Sequence, residues 1–456
     1  MIDIRPKFKP VLDPDFMPAA LWNKAYRAEA EKTLEIAVER SGGAVAVHET
    51  RILPHEGPAI PVNELHVERL IKFLLWQKGG FHITVSGEPA LAEHVRRIYS
   101  PEGRRSFDHA FMGKTVSGVP MVVEAGAPRK GDEGARALSL GGHLKGCRIG
   151  FDLGGSDRKA AAVVDGKVVF SEEVVWDPYP AKDPGWHYKE INDSLKRAAA
   201  HLPRVDAIGG SAAGIYVDNE VRVASLFRGV PADLFESKVR RIFLDLRKEW
   251  NSVPFVVVND GEVTALAGSM SLKKNAVLGV AMGTSEAAGY VDPKGNLTTW
   301  LNELAFAPID YRASAPADEW SGDIGCGVQY FSQQAVGRLL PASGIALPRD
   351  MKLPEKLKEV QDLMEKGDPR ARRIFESIGV YLGYAVAHYK DFYEFGSLLL
   401  LGRVMSGQGG ELILSTAKDV LKAEFPSIHE AVGFATLSER DKRHGQAIAA
   451  ASLPPL

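Results

Sequence analysis

Along the chain, short apolar runs bounded by Gly, Pro, Asn and Ser alternate with longer stretches whose apolar residues recur every three or four positions. That pattern predicts strands alternating with helices. In the first 146 residues, Pro18 opens a segment whose Leu21, Ala25, Ala28, Leu34 and Val38 predict one helix running to Ser41-Gly42-Gly43. Strands are predicted at 44–48 and 51–53, followed by a proline-rich turn at 55–61. Asn63 is placed as the N-cap of an amphipathic helix with Leu65, Leu70, Ile71, Leu74 and Leu75 on one face, closed by Gly79-Gly80. A strand at 81–85, a helix at 90–99 and a strand at 121–124 complete a small α/β unit, and residues 126–142 read as a linker.

The remainder divides into two similar halves. The first has strands at 149–153, 160–164, 168–175, 207–211 and 255–258, with helices at 188–201 and 232–250 between the later ones. Strands at 277–281, 287–291, 297–301, 398–401 and 431–436 make up the second, together with helices at 370–392 and 438–451. The likeness is sharpest at two turns. Residues 148–159 (RIGFDLGGSDRK) run from an apolar strand into Gly154-Gly155 and then Ser156. Glycines there let an anion approach the backbone N–H groups, although one such turn alone reads equally well as a hairpin. Residues 278–297 (LGVAMGTSEAAGYVDPKGNL) repeat the order, with Gly283, Thr284 and Ser285 at the turn. A repeat separated by more than a hundred residues predicts two facing lobes, each offering a polar glycine turn to a polyphosphate.

This arrangement resembles the actin-like ATPase superfamily of sugar kinases, acetate kinase and actin, and most closely the ROK (repressor, open reading frame, kinase) family, over residues 147–452. Besides the two turns, residues 256–267 (VVVNDGEVTALA) resemble the family's catalytic Asn-Asp segment, Asn302-Glu303 its Glu-x-Gly-His motif, and 211–218 (SAAGIYVD) a Gly/Pro-containing strand end. The resemblance implies duplicated ribonuclease H-like lobes at 147–272 and 273–456 with a cleft between them, beside an N-terminal α/β domain at 1–146. It also implies an ATP- and Mg²⁺-dependent kinase acting on a hydroxyl of a sugar or sugar-like substrate. Phosphoryl transfer needs positioning, charge neutralisation and a carboxylate to take the acceptor's proton. Asp260, at the end of an apolar strand where partial burial raises a carboxyl's pKa, is assigned that role. The bland reading of Asp260 is a cap for a helix over 262–270. By resemblance, Asn259 and Glu303 hold substrate hydroxyls, and Asp152 holds Mg²⁺ directly or through water. Gly154, Gly155, Ser156, Gly283, Thr284 and Ser285 contact phosphate, and Gly402 matches an adenosine-binding turn.

The chain departs from the family in four places. Glu286 brings a negative charge into the second turn. Across 319–328 (EWSGDIGCGV), Gly322, Gly325 and Cys326 match the zinc motif, but Glu319 and Ser321 stand where thiolates would, so no zinc is expected. Phe306 replaces the motif's histidine, and Val328 a sugar-binding glutamate. The alternative function is a catalytically silent nucleotide- or sugar-binding regulator. Repressors of the family carry an N-terminal helix-turn-helix that is not read here.

Composition adds constraints. With 56 basic and 58 acidic residues and no basic block, nucleic acid is not an expected partner. Two cysteines fit a reducing interior, and neither a signal-peptide core nor a membrane span is read, so a soluble cytoplasmic protein is expected. Six histidines between His48 and His109 show no metal-ligand spacing. The loop at 176–187 (WDPYPAKDPGWH) either packs against the N-terminal domain or forms an aromatic lid over a sugar ring. A homodimer is implied by resemblance alone.

Overall fold

The computed structural model describes residues 2–127, 140–436 and 439–456; most of the linker predicted at 126–142 lies outside them. The chain begins with α1 (Ala19–Glu29), β1 (Lys32–Glu39), β2 (Val45–Ile52), α2 (Ala59–Lys78), β3 (His82–Ser86), α3 (Pro89–Ile98), α4 (Ser106–Ala110) and β4 (Val122–Ala125). Its four strands form one sheet in the order β2-β1-β3-β4. The single helix expected from Pro18 to Val38 is therefore half helix and half strand. Beyond Ala30 the apolar residues alternate, and Leu34, Ile36 and Val38 are buried on one face of β1. Asn63 is likewise no cap. It lies inside α2, where its carbonyl accepts from the Tyr26 hydroxyl at 2.5 Å and its amide donates to Leu53 O at 3.0 Å. Gly79, at φ 75°, does end α2 as expected.

The first lobe contains β5 (Cys147–Leu153), β6 (Asp157–Val164), β7 (Lys167–Val175), α5 (Pro184–Ala199), β8 (Ala207–Ala212), the hairpin β9 (Ile215–Val217) and β10 (Glu220–Val223), α6 (Ala232–Leu234), α7 (Ile242–Glu249) and β11 (Phe255–Asn259). α8 (Asp260–Leu272) leads into the second lobe, β12 (Val277–Met282), β13 (Glu286–Val291), α9 (Gln333–Ser343), α10 (Leu353–Glu365), α11 (Pro369–Tyr389), β14 (Ser397–Leu401), α12 (Gly407–Glu424), α13 (Pro426–Ala431), β15 (Gly433–Ala435) and α14 (Glu439–Ala451). The sheets run β11-β8-β5-β6-β7 and β15-β14-β12-β13. The first four strands thus correspond, down to the antiparallel β5/β6 and β12/β13 pairs and the parallel β5/β8 and β12/β14 pairs. The expected duplication is present. The strand expected at 297–301 is missing: Leu297 makes isolated bridges to Val291 and Leu140.

Two features tie these parts together. α14 crosses back onto the first lobe, as the resemblance implies. A Cβ on Gly150 would meet Ala447 O at 2.1 Å, and one on Gly209 would meet Ala450 O at 1.7 Å, so only glycine admits the helix this closely. At the other end, Phe16, Ala20 and Phe73 belong to the hydrophobic core of the second lobe, packed with residues such as Tyr330, Tyr381 and Tyr384. No helix among the described residues is long and apolar enough to cross a membrane.

Candidate active site

The first glycine turn closes on itself and on an aromatic loop. Gly154 N–H donates to Asp157 O at 2.9 Å, and the Trp176 indole donates to Gly154 O at 2.8 Å. A Cβ on Gly155 would lie 1.9 Å from the Tyr179 hydroxyl, and the Arg228 guanidinium sits 3.7 Å from the Tyr179 ring centroid. Trp176 joins the first lobe's core, and Trp176 and Trp186 stack at 5.8 Å. The 176–187 loop therefore packs against the first glycine turn and the core of the first lobe. Ser156 Oγ donates to Asp157 Oδ2 at 2.9 Å. Asp152, next to last in β5, is half-buried, 3.8 Å from Lys159 Nζ. Burial raises its pKa, while the Ser211 hydroxyl and Lys159 work in the opposite direction.

In the second turn, Gly283 N–H donates to Ser285 O at 2.9 Å, and Gly283 O accepts from the first N–H of α9 at 2.9 Å. Thr284 and Ser285 are left exposed. Gly402 sits at φ 93° against this turn, where a Cβ would come within 2.4 Å of Met282 O. Glu286 is turned into the interior, unlike exposed Thr284 and Ser285 before it. It is 3 % exposed and starts the face of β13 that continues through buried Ala288 and Tyr290. Gly327 leaves room for it, since a Cβ there would lie 2.4 Å from Glu286 Oε2.

Beyond the two turns, several carboxyl groups influence one another electrostatically. Asn259, not Asp260, caps α8: its Oδ1 accepts from Gly261 N–H at 2.7 Å, and its Nδ2 donates to Gly214 O at 2.7 Å. That leaves one Nδ2 hydrogen for a substrate. Asp260 is the first residue of α8 and also accepts from Gly261 N–H, at 3.0 Å. Burial and the Asp152 carboxylate push it up to about 6. Burial and Asp260 push Glu303 up to about 8. Burial and Glu303 do the same for Glu262 and Glu286, each pushed up to about 8. Asn302 Nδ2 donates to Glu262 at 3.3 Å. Glu262 and Glu286 escaped sequence reasoning as members of this group, because no spacing links residues that meet only through folding. A separate cavity of about 430 Å³, lined by residues including Arg27, His48, His66 and Phe392, carries none of these carboxyls.

The N-terminal helix α2 holds the segment that carries Glu303. The N–H groups of Asn302 and Glu303 donate to Gln77 O at 2.8 Å and Trp76 O at 2.9 Å. These are carbonyls in the last turn of α2, which lack helical partners of their own. Asn302 adopts φ 53°, and its side chain accepts from the Tyr393 hydroxyl at 3.1 Å. The segment at 319–328 is held to the same helix by buried ion pairs: Asp323 meets Arg69 at 3.3 Å and Lys72 at 3.1 Å, and pairs with Arg105. Lys72 also meets Asp108 at 2.9 Å. Cys326 is buried beside Asp323, at 3.6 Å, and its thiol is pushed up by burial and by that carboxylate. Val328 lies in the core.

No protein-family model matches this chain, and no curated protein matches it in sequence. Several solved structures share its fold. A ROK hexokinase from Thermus thermophilus is 21% identical, with a TM-score of 0.52 over 67% of this chain and 97% of its own. A ROK family transcriptional regulator, a homologue of the E. coli MLC protein, is 18% identical, with a TM-score of 0.54 over 68% and 78%. A putative N-acetylmannosamine kinase from Listeria monocytogenes is 14% identical, with a TM-score of 0.50 over 67% and 97%.

Proposed function

We propose that this chain, which has the fold of the ROK proteins, is an ATP- and Mg²⁺-dependent kinase for a hydroxyl of a sugar or sugar-like polyol. The observation that carries this reading is the placement of Asp260. It shares the Gly261 N–H with the capping Asn259, feels the charges of Asp152 and Glu303, and is raised to about 6. A base of that pKa is ionised at neutral pH yet basic enough to accept a proton. Asp260 takes the acceptor's hydroxyl proton as the oxygen bonds to the terminal phosphorus of ATP. The bond from that phosphorus to its bridging oxygen breaks, and ADP leaves. Thr284 and Ser285, exposed on the second turn, would contact the phosphates, whereas the N–H groups of Gly154 and Gly283 are already bonded within their own turns.

The donor set suits magnesium. Asp152 is a half-buried carboxyl with Lys159 at 3.8 Å, too far for a tight ion pair, so its oxygens can hold the ion directly or through water. When bound, magnesium supplies neutralisation of phosphate charge. Glu286, turned into the interior, adds no charge beside exposed Thr284 and Ser285. A homodimer in the cytoplasm belongs to the same proposal.

A second reading, a silent sugar- or nucleotide-binding regulator, is favoured by the likeness to the ROK transcriptional regulator. ADP release with ATP and Mg²⁺ over a panel of sugars, amino sugars, sugar acids and polyols, run beside Asp260→Asn, separates the two. Turnover on an acceptor that Asp260→Asn abolishes supports the kinase. ATP binding without turnover on any acceptor supports the regulator.

A further inference from the structure

Where α1, β2 and α2 meet the segment after α11, the structure encloses a cavity of about 430 Å³ that the proposed phosphoryl transfer does not use. Its volume falls within the roughly 300–1,000 Å³ of small-molecule sites. The buried polar residues of its lining, Asn23, Thr50 and His66, are neutral. His66 Nδ1 donates to Asn23 Oδ1 at 3.2 Å, so its Nε2 accepts from the Thr50 hydroxyl, also at 3.2 Å. The Asn23 amide gives one hydrogen to the Tyr311 hydroxyl at 3.1 Å and keeps the other. Thr50 Oγ keeps its lone pairs. Burial above all holds His48 down to about 4 and His66 to about 3, so both rings are uncharged at neutral pH. His48 is half-buried, and among the described residues its ring nitrogens meet no hydrogen-bond partner. One wall is flat: Phe392 stacks on His48 at 5.7 Å and on Phe73 at 3.7 Å. The charged lining groups, Arg27, Glu49, Arg51 and Asp391, are exposed at the rim and balance two against two, with Arg27 and Asp391 paired at 2.9 Å.

We infer that this cavity is a second binding site, between the N-terminal domain and the second lobe, for one neutral sugar or polyol. Hydroxyl groups both donate and accept, and so match Thr50 Oγ, the spare Asn23 hydrogen and the His48 ring nitrogens, while C–H faces of the ligand lie against Phe392. A charged group at the same depth would give up its water for uncharged partners alone. Occupancy is linked to the turn that carries Glu303. Phe392 O accepts from Gln77 Nε2 at 2.6 Å, and Gln77 O accepts from the Asn302 N–H at 2.8 Å. The next residue, Tyr393, donates its hydroxyl to Asn302 Oδ1 at 3.1 Å. A ligand that fixes Phe392 thereby steadies Gln77 and Asn302, which gives the N-terminal domain a regulatory role. The inference does not use the kinase reading, and either can fail alone.

Glucose, mannose, xylose, sorbitol and myo-inositol serve as probes, each titrated by calorimetry into the full chain carrying Glu303→Gln, which weakens the cleft site. At least one is expected to bind, one per chain, ten-fold or more tighter than the charged compounds gluconate and glucosamine. Adding Thr50→Val, or His48→Phe, which keeps the stack on Phe392, should weaken that binding ten-fold or more. A bound probe should also shield His48 of the unsubstituted chain from diethyl pyrocarbonate, read by mass spectrometry. In Glu303→Gln it should slow hydrogen exchange in the peptide that carries the Asn302 amide. No binding by any of the five, binding that neither variant weakens, or charged compounds that bind as tightly overturns the inference. Should both variants fail to fold, His48 labelled equally fast with and without every probe overturns it. Exchange at Asn302 that stays unchanged despite binding refutes the link to Glu303.

Discussion

Asp260→Asn separates the cost of the proposed base from its use. In the folded protein Asp260 is raised from its ordinary 3.8 to about 6. Each pKa unit corresponds to about 1.4 kcal/mol, so about two units amount to roughly 3 kcal/mol at full effect. The sign follows from the direction of the shift. A carboxyl with a raised folded-state pKa supports the fold fully below its unfolded value, near 4, and loses that support as the pH rises through about 6. Above pH 6 an ionised Asp260 costs the fold about 1–3 kcal/mol, the lower figure reflecting its partial exposure. Asparagine keeps the shape and the acceptor for Gly261 N–H but stays neutral, and it also relieves Asp152 and Glu303 of a neighbouring charge. The ligand-free Asp260→Asn variant should melt close to the wild type at pH 4 and progressively above it between pH 5 and 8, while losing acceptor turnover by three orders of magnitude or more. Differential scanning calorimetry without ligands across that range reads the stability arm. A melting difference that does not change with pH, or a variant less stable than the wild type at pH 8, would refute the placement of an ionised, poorly compensated carboxyl at this position.

Three further outcomes follow from the packing. In the wild type, kcat/KM for the acceptor should fall as the pH drops below about 6, because Asp260 is then protonated; a flat profile from pH 5 to 7 would remove it as the base. Gly402→Ala combines an unfavourable positive φ with a Cβ 2.4 Å from Met282 O, so it should cost roughly 1–3 kcal/mol and weaken ATP binding through the adjoining second turn. Unchanged melting and unchanged ATP affinity would argue against that contact. Asp323→Asn leaves Arg69, Lys72 and Arg105 short of one negative charge and should destabilise the protein by about 3–5 kcal/mol. Because α2 also carries the carbonyls that hold Asn302 and Glu303, the acceptor's KM should rise more than that of ATP, and equal changes in both would count against this linkage.

What the sequence determined by itself was the repeated order of elements and the polar glycine turns within it. Both are local in origin: a period of two or of three and a half is written into consecutive residues, and a glycine turn into two or three of them. That sufficed to anticipate the duplicated lobes and the position of Asp260 at a strand end, while the return of the terminal helix to the first lobe came only from the family resemblance. It failed where neighbours in sequence answer to distant partners. Leu34 and Val38 fit a helix as readily as a strand until β2 and β3 pair with β1 on either side. Asn63 looks like a cap until Tyr26 and Leu53 claim its amide. Residues 297–301 have strand composition but gain only isolated bridges. The group of coupled carboxyls belongs wholly to the tertiary structure. Asp260 and Glu262 arrive on α8, Glu286 on β13 and Glu303 on a turn gripped by α2, four carboxyls drawn from separate stretches of chain. Only folding sets which face each one shares, and electrostatic coupling depends on distance in space, not along the chain. For the same reason no local pattern could show that the first 146 residues, outside the repeat, hold the turn that presents Glu303.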